Sequence, residues 1–242
     1  MNVLNLSAFR HFFCGSTTID LKRAIDEKKV IVFNLSKGKL GAIASEHIGK
    51  MLIAILQNII FQRAVLKDKD RVPTSIYVDE FQDFINESIE EIFVQGRKYK
   101  VSLTVACQVV GQKMTADMTR VVLGNTSCKF IGRNGYESLR IMSKEAFTEI
   151  DELRDLEIGK FFTVIDKRNG FILEVPTDHL KNKTCINDEE RGKFLQHQIG
   201  KYYEPRPQRD EIEVQESITT NRIPPKQFRL ERVKAASFNP KY

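Results

Sequence analysis

Two adjacent carboxylates close a short apolar run in IYVDEFQDF, residues 76–84. A strand ending in such a pair delivers both side chains to the C-terminal rim of a parallel sheet, where α/β folds bind ligands. In ATP hydrolysis on a phosphate-binding-loop scaffold, the first carboxylate orients the magnesium shell and the second polarises the attacking water. Asp79 fits the first role and Glu80 the second. An exposed acidic pair capping the next helix is the plainer alternative. Gln108 ends the following strand-like run, VSLTVAC. On adjacent parallel strands, Glu80 and Gln108 emerge side by side, and a glutamine there can sense the γ-phosphate and place the water. A surface glutamine at a strand end is the alternative.

Basic residues surround this core of candidates. Arg97, in QGRKY, closes the helix between the two strands. An arginine there can reach a neighbouring subunit's ATP and stabilise the transferring phosphoryl group. Spacing alone favours a solvated helix end, with the positive charge complementing the helix dipole. Lys113 and Arg120, in VVGQKMTADMTR, are candidate DNA contacts, with a solvated loop as the alternative.

The elements that must position these groups follow from periodicity. Residues 30–35, VIVFNL, form a continuous β-branched run expected of a strand buried on both faces. Residues 43–66 repeat apolar positions at helical spacing (Ile48, Leu52, Ile55, Leu56, Ile59) until KDKDRVP stops them. Strands are expected at 74–78, 101–107 and 127–132, with helices between them and a helix over 136–155. Residues 160–166 and 170–175 pair as a hairpin across Arg168-Asn169-Gly170, since Asn-Gly favours a tight primed turn. This order argues for an α/β fold: an open, mostly parallel sheet flanked by helices, with an antiparallel edge hairpin. Residues 1–180 form the domain. Residues 181–242 form a helical extension over 187–203 and a polar tail, holding five of the chain's seven prolines after Glu204.

Composition narrows the class. With 242 residues and 41% hydrophobic, the chain can bury one sizeable core. A net charge of +6 suits a nucleic-acid partner and an ordinary soluble protein alike. Cys14, Cys107, Cys128 and Cys185 form no CxxC pair, which argues against a zinc site or a disulfide framework. Cys107 and Cys128 sit in apolar runs and are expected as buried free thiols in a reducing compartment. No secretory signal is expected, because Arg10 and His11 interrupt the N-terminal apolar stretch. The apolar segment 48–61 is too short, and too interrupted by Lys50, Gln57 and Asn58, to read as a membrane span.

The stretch VDEFQDFINESIEEIFVQGRKYKVSLTVACQ closely resembles the TraG/TraD-type coupling proteins of type IV secretion and conjugation, relatives of the FtsK/HerA DNA pumps. That family pairs a "VDEFQ-F" motif with "GRKY--SLTLAHQ"; here Cys107 stands at the histidine. Upstream, IDEKKVIVFNLSKGKLG resembles the family's strand and loop, and downstream GNTSCKFIGRNG resembles its next strand. The likeness spans residues 15–178. It implies a RecA-like motor fold, ATP and Mg2+ as cofactors, and a hexameric ring of motor subunits with DNA in its channel. It also implies secretion and conjugation proteins as partners, at the inner face of the membrane. Asp79 and Glu80 fall on the Walker B motif, with Asp79 at the metal. Gln108 falls on the sensor glutamine, Arg97 on a trans finger, and Arg133 on an arginine near the subunit boundary. A related ATPase of pilus assembly or protein export is the nearest competitor, and a non-catalytic partner-binding module is the other.

The phosphate-binding loop itself is missing. GxxxxGK[ST] cradles phosphates on backbone amides and neutralises them with its lysine. The nearest stretch, GKLGAIASEHIGKM, has Ala44 where glycine is required and Met51 where Ser or Thr is required. In the family this loop precedes the matched region, so the N-terminal P-loop half is expected to lie outside the chain. The chain then represents a fragment, half of a split motor, or a remnant. The expected outcome is that the purified chain shows no saturable MgATP binding by calorimetry and no turnover. Hydrolysis at the rate of a complete motor contradicts this reading.

Overall fold

A computed structural model describes residues 19–166, 170–176 and 186–203. The chain divides into two units, Met1–Glu204 and Pro205–Tyr242, and every described residue belongs to the first.

Strand β1 (Thr74–Val78) lies parallel to β2 (Val101–Val105), in register from Thr74↔Val101 to Val78↔Val105. Each strand alternates, so Ile76, Val78, Leu103 and Val105 turn toward a core built on Ile53, Ile60, Phe81, Ile89, Ile92, Met118 and Val122. The opposite face, with Ser75, Tyr77, Ser102 and Thr104, is exposed. The sequence reads 101–107 as a run buried throughout. The structure corrects this, because Ser102 and Thr104 occupy the outward positions of the pleat.

Three helices cover the inner face. Helix α3 (Ala42–Phe61) follows two short ones, α1 (Leu21–Asp26) and α2 (Lys37–Leu40). It buries Ile48, Leu52, Ile53 and Ile60. A Cβ at Gly49 would overlap the Phe84 ring, so glycine is what lets the turn after β1 lie against this helix. With the 3-10 turn that continues it, the helix spans Ala42–Val65, which by length and composition is enough to cross a membrane. It is longer than the 48–61 segment read from the sequence; its buried side chains serve the core. Helix α4 (Glu87–Gln95) is capped by the Asn86 side chain and buries Ile89 and Ile92. Helix α5 (Ala116–Asn125) is capped by Thr115 and buries Met118 and Val122.

Strand β3 (Cys128–Ile131) pairs antiparallel with β4 (Lys160–Ile165), which pairs antiparallel with β5 (Phe171–Glu174). Helices α6 (Tyr136–Ala146) and α7 (Ile150–Arg154) pack on one face of this sheet through Leu139, Met142, Ala146 and Leu153. The single helix expected over 136–155 breaks at Phe147, whose left-handed φ of 53° caps α6. The hairpin strands are present; the turn expected at Arg168-Asn169-Gly170 lies outside the described residues except for Gly170. Helix α8 (Asp188–Tyr202) starts with a capping box between Asn187 and Glu190 and buries no residue.

Two further expectations are corrected. The sheet is not mostly parallel: among the described residues there is one parallel pairing and two antiparallel ones, in separate sheets. Residues 30–35 form no strand; Val30 is 93% exposed, and Phe33 and Leu35 lean on α3. An apolar run becomes a strand only where a backbone partner is available, and Leu35 instead offers its carbonyl to the Ser45 hydroxyl at 2.6 Å.

Arg63 pins the base of the parallel pair. It is 4% exposed and donates to Tyr99 O at 3.0 Å and Thr74 Oγ1 at 2.7 Å. Burial pushes its pKa down from the usual value. Arg63→Ala leaves these acceptors unpaired beside a cavity, so urea unfolding should show a loss of about 2–4 kcal/mol.

Candidate active-site rim

The site begins where β1 runs out. Glu80 takes a left-handed backbone conformation, φ 49° and ψ 44°, which turns the chain sharply into the 3-10 turn Phe81–Asp83. Phe81, 1% exposed, anchors that turn in the core, and its amide donates to Ala106 O at 3.0 Å. Asp79 is exposed, and its Oδ1 accepts the Glu80 amide at 3.0 Å. Gln108 Nε2 donates to Glu80 Oε1 at 2.5 Å, and Gln82 Nε2 donates to Glu80 Oε2 at 2.5 Å. The two strands therefore bring the carboxylate and the glutamine expected at one rim into direct contact. Ionised Glu80 retains lone pairs for a further donor, because each oxygen accepts more than one bond.

The rim extends toward β3. Asn134 Nδ2 donates to Gln108 O at 2.5 Å, and Asn134 Oδ1 accepts the Gly135 amide at 2.7 Å. Arg133, exposed, sits beside Asn134 in the same loop. Behind the rim, Asp83 has only 4% of its side chain exposed and pairs with Lys113 at 2.8 Å and Lys37 at 2.5 Å. It fastens the loops on either side of the rim. Lys113, then Lys37, hold its carboxyl below the usual carboxylate range. Cys107 is half-buried, and burial raises its pKa, with the Glu80 charge adding to the effect.

Sequence reasoning did not single out Gln82, Asp83 or Asn134. Gln82 and Asp83 lie within FQDF and Asn134 follows Arg133, but nothing in the sequence says which polar residues turn inward. Cys128 is exposed, not buried as expected, because it occupies an outward position at the start of β3.

Arg97 stands apart. It is exposed in the 3-10 turn Gly96–Tyr99, where the amide of Thr74, the first residue of β1, donates to Lys100 O. That is the opposite rim, separated from Glu80 by the length of β1, roughly 16 Å. Its side chain makes no hydrogen bond or ion pair among the described residues. Lys113 is committed to Asp83, and Arg120 pairs with Asp117 on the surface of α5. No group of three or more metal-ligating side chains occurs among the described residues. The residues present suit the terminal-phosphate side of MgATP: Asp79 is accessible and Glu80 is oriented, while the cradle for the other phosphates has no counterpart in the sequence.

No family model matches the chain, and no curated protein matches it. Solved structures are similar, among them VirB4 of Thermoanaerobacter pseudethanolicus, at 16% identity and a TM-score of 0.42. That match covers 55% of this chain and 38% of the VirB4 chain, so this chain spans well under half of that protein.

The Asp83 cluster gives a defined pH response. A carboxyl whose folded pKa is depressed contributes stability that is complete above its unfolded pKa, about 4, and is lost as pH falls through the folded value. Asp83→Asn should lower stability at pH 7 by about 1–3 kcal/mol and flatten the acid limb below about pH 4. Urea titrations at pH 7, 4 and 3 measure both effects.

Proposed function

We propose that this chain is the hydrolysis-side half of an ATP-driven motor of type IV secretion, specifically a DNA-translocating coupling ATPase of conjugation. The phosphate cradle comes from polypeptide outside these 242 residues. One observation carries the reading: Gln108 and Glu80 join across the ends of two parallel strands, next to an accessible Asp79.

In this reading Asp79 would hold the water shell of a magnesium ion, which would neutralise phosphate charge. Glu80 accepts a hydrogen bond from the attacking water and takes its proton as the new P–O bond forms and ADP leaves. Gln108 holds Glu80 in place and registers whether the terminal phosphate is present. Arg97, on the far rim, serves the neighbouring subunit's nucleotide, which requires a ring, hexameric in the complete protein. Arg133, beside Asn134 at the Glu80 rim, lies near the subunit boundary on that side. Of the two proposed DNA contacts, Arg120 is exposed on α5, while Lys113 reaches DNA only by leaving Asp83.

The test uses the ATPase formed with the P-loop polypeptide that restores hydrolysis. Glu80→Gln keeps the shape and removes the base. It should lower kcat by about 10²-fold or more while leaving KM for ATP little changed. An unchanged kcat overturns the motor reading in favour of a partner-binding module.

A further inference from the structure

Helices α6 and α7 together line a cavity of about 400 Å³, open beside the loop that follows β3. Its apolar lining is Leu139, 2% exposed, and Ile150, which packs on the second core. Tyr136, at the start of α6 and largely exposed, adds an aromatic side chain. An apolar and aromatic lining with a few polar groups is the make-up of a ligand pocket.

Of the charged groups in this lining, one is uncommitted. Arg154 donates Nε and Nη2 to Asp155, at 2.9 and 3.2 Å, and holds Nη1 2.7 Å from Asp151. Glu149 precedes α7, yet its side chain makes no capping bond, and the Thr148 hydroxyl donates to Glu152 instead. Among the described residues Glu149 has neither a hydrogen bond nor an ion pair. The surroundings set the sign of its missing partner. Residues 149–157 hold five carboxylates against one arginine, in a chain of net charge +6, so the local field favours a cation. Lys160 answers only Glu157. Phe147 and Ile158 flank α7 and are 77% and 90% exposed, which suits a polypeptide partner and not a free ion.

The geometry points to this cavity as the receptor for an arginine side chain of a partner polypeptide. A guanidinium is planar and stacks on an aromatic face. It also bonds a carboxylate through two N–H groups at once. Its aliphatic stem covers apolar surface while the head stays polar. Tyr136, Glu149, and Leu139 with Ile150 meet these three needs in turn. Lysine brings a point charge without the planar fork, so it meets the lining less completely. The inference is independent of the nucleotide chemistry at Glu80.

Methyl-resolved NMR on the full chain tests this, with two probes: N-acetyl-arginine N-methylamide and its citrulline counterpart, which keeps the shape and removes the charge. The arginine probe should shift the Leu139 and Ile150 methyls saturably, and bind about tenfold or more tighter than the citrulline probe. Glu149→Gln should abolish that preference. Tyr136→Leu should weaken arginine binding about threefold. Glu152→Gln, outside the cavity lining, should leave it unchanged. Equal binding of the two probes, no shift at these methyls, or an undiminished preference in Glu149→Gln overturns the proposal. Saturation of the same methyls by adenosine, with no response to arginine, also overturns it and assigns the cavity to a nucleobase.

Discussion

The five-residue parallel register between β1 and β2 is the constraint on which the rim depends. Val78 pairs with Val105, and from that level each chain runs a few residues further to place Glu80 and Gln108 in contact. A slip of one residue would reverse the facing of every side chain on one strand. It would expose Leu103 and Val105 and turn Gln108 away from the carboxylate. The register is held at both ends: Arg63 and the Thr74 amide fix the base, and the Phe81–Ala106 bond fixes the top. Core burial and site geometry are thus enforced by the same ladder.

Much of this was legible in the sequence. TSIYV ends as a strand at the expected residue, and the contact between Glu80 and Gln108 followed from reading two runs as neighbours. Helices α4 and α5 lie between the strands as expected, and the structure adds the Asn86 and Thr115 side chains that cap them. The misreadings share one physical cause. VIVFNL has the composition of a buried strand, and Cys128 sits in an apolar run, but composition does not say which neighbour is present. Pairing and burial are properties of the assembled sheet, and among the described residues no strand joins β2 to β3.

Charge was harder still to read. Lys113 is one of many basic residues, and its sequence context suggests solvent or phosphate. In the fold it meets Asp83, a carboxylate thirty residues away that also holds Lys37. Arg97 shows the reverse: no carboxylate binds it among the described residues, and its rim is remote from Glu80.

The left-handed backbone at Glu80 has an evolutionary corollary. An L-residue with a Cβ sits there at a penalty of roughly 1–2 kcal/mol, which glycine escapes and asparagine softens. Lys28, Lys100, Lys113, Phe147 and Asp166 share this left-handed conformation, so the same relaxation is open at each of them. Only at Glu80 would that relaxation also remove the carboxylate that meets Gln108 and Gln82.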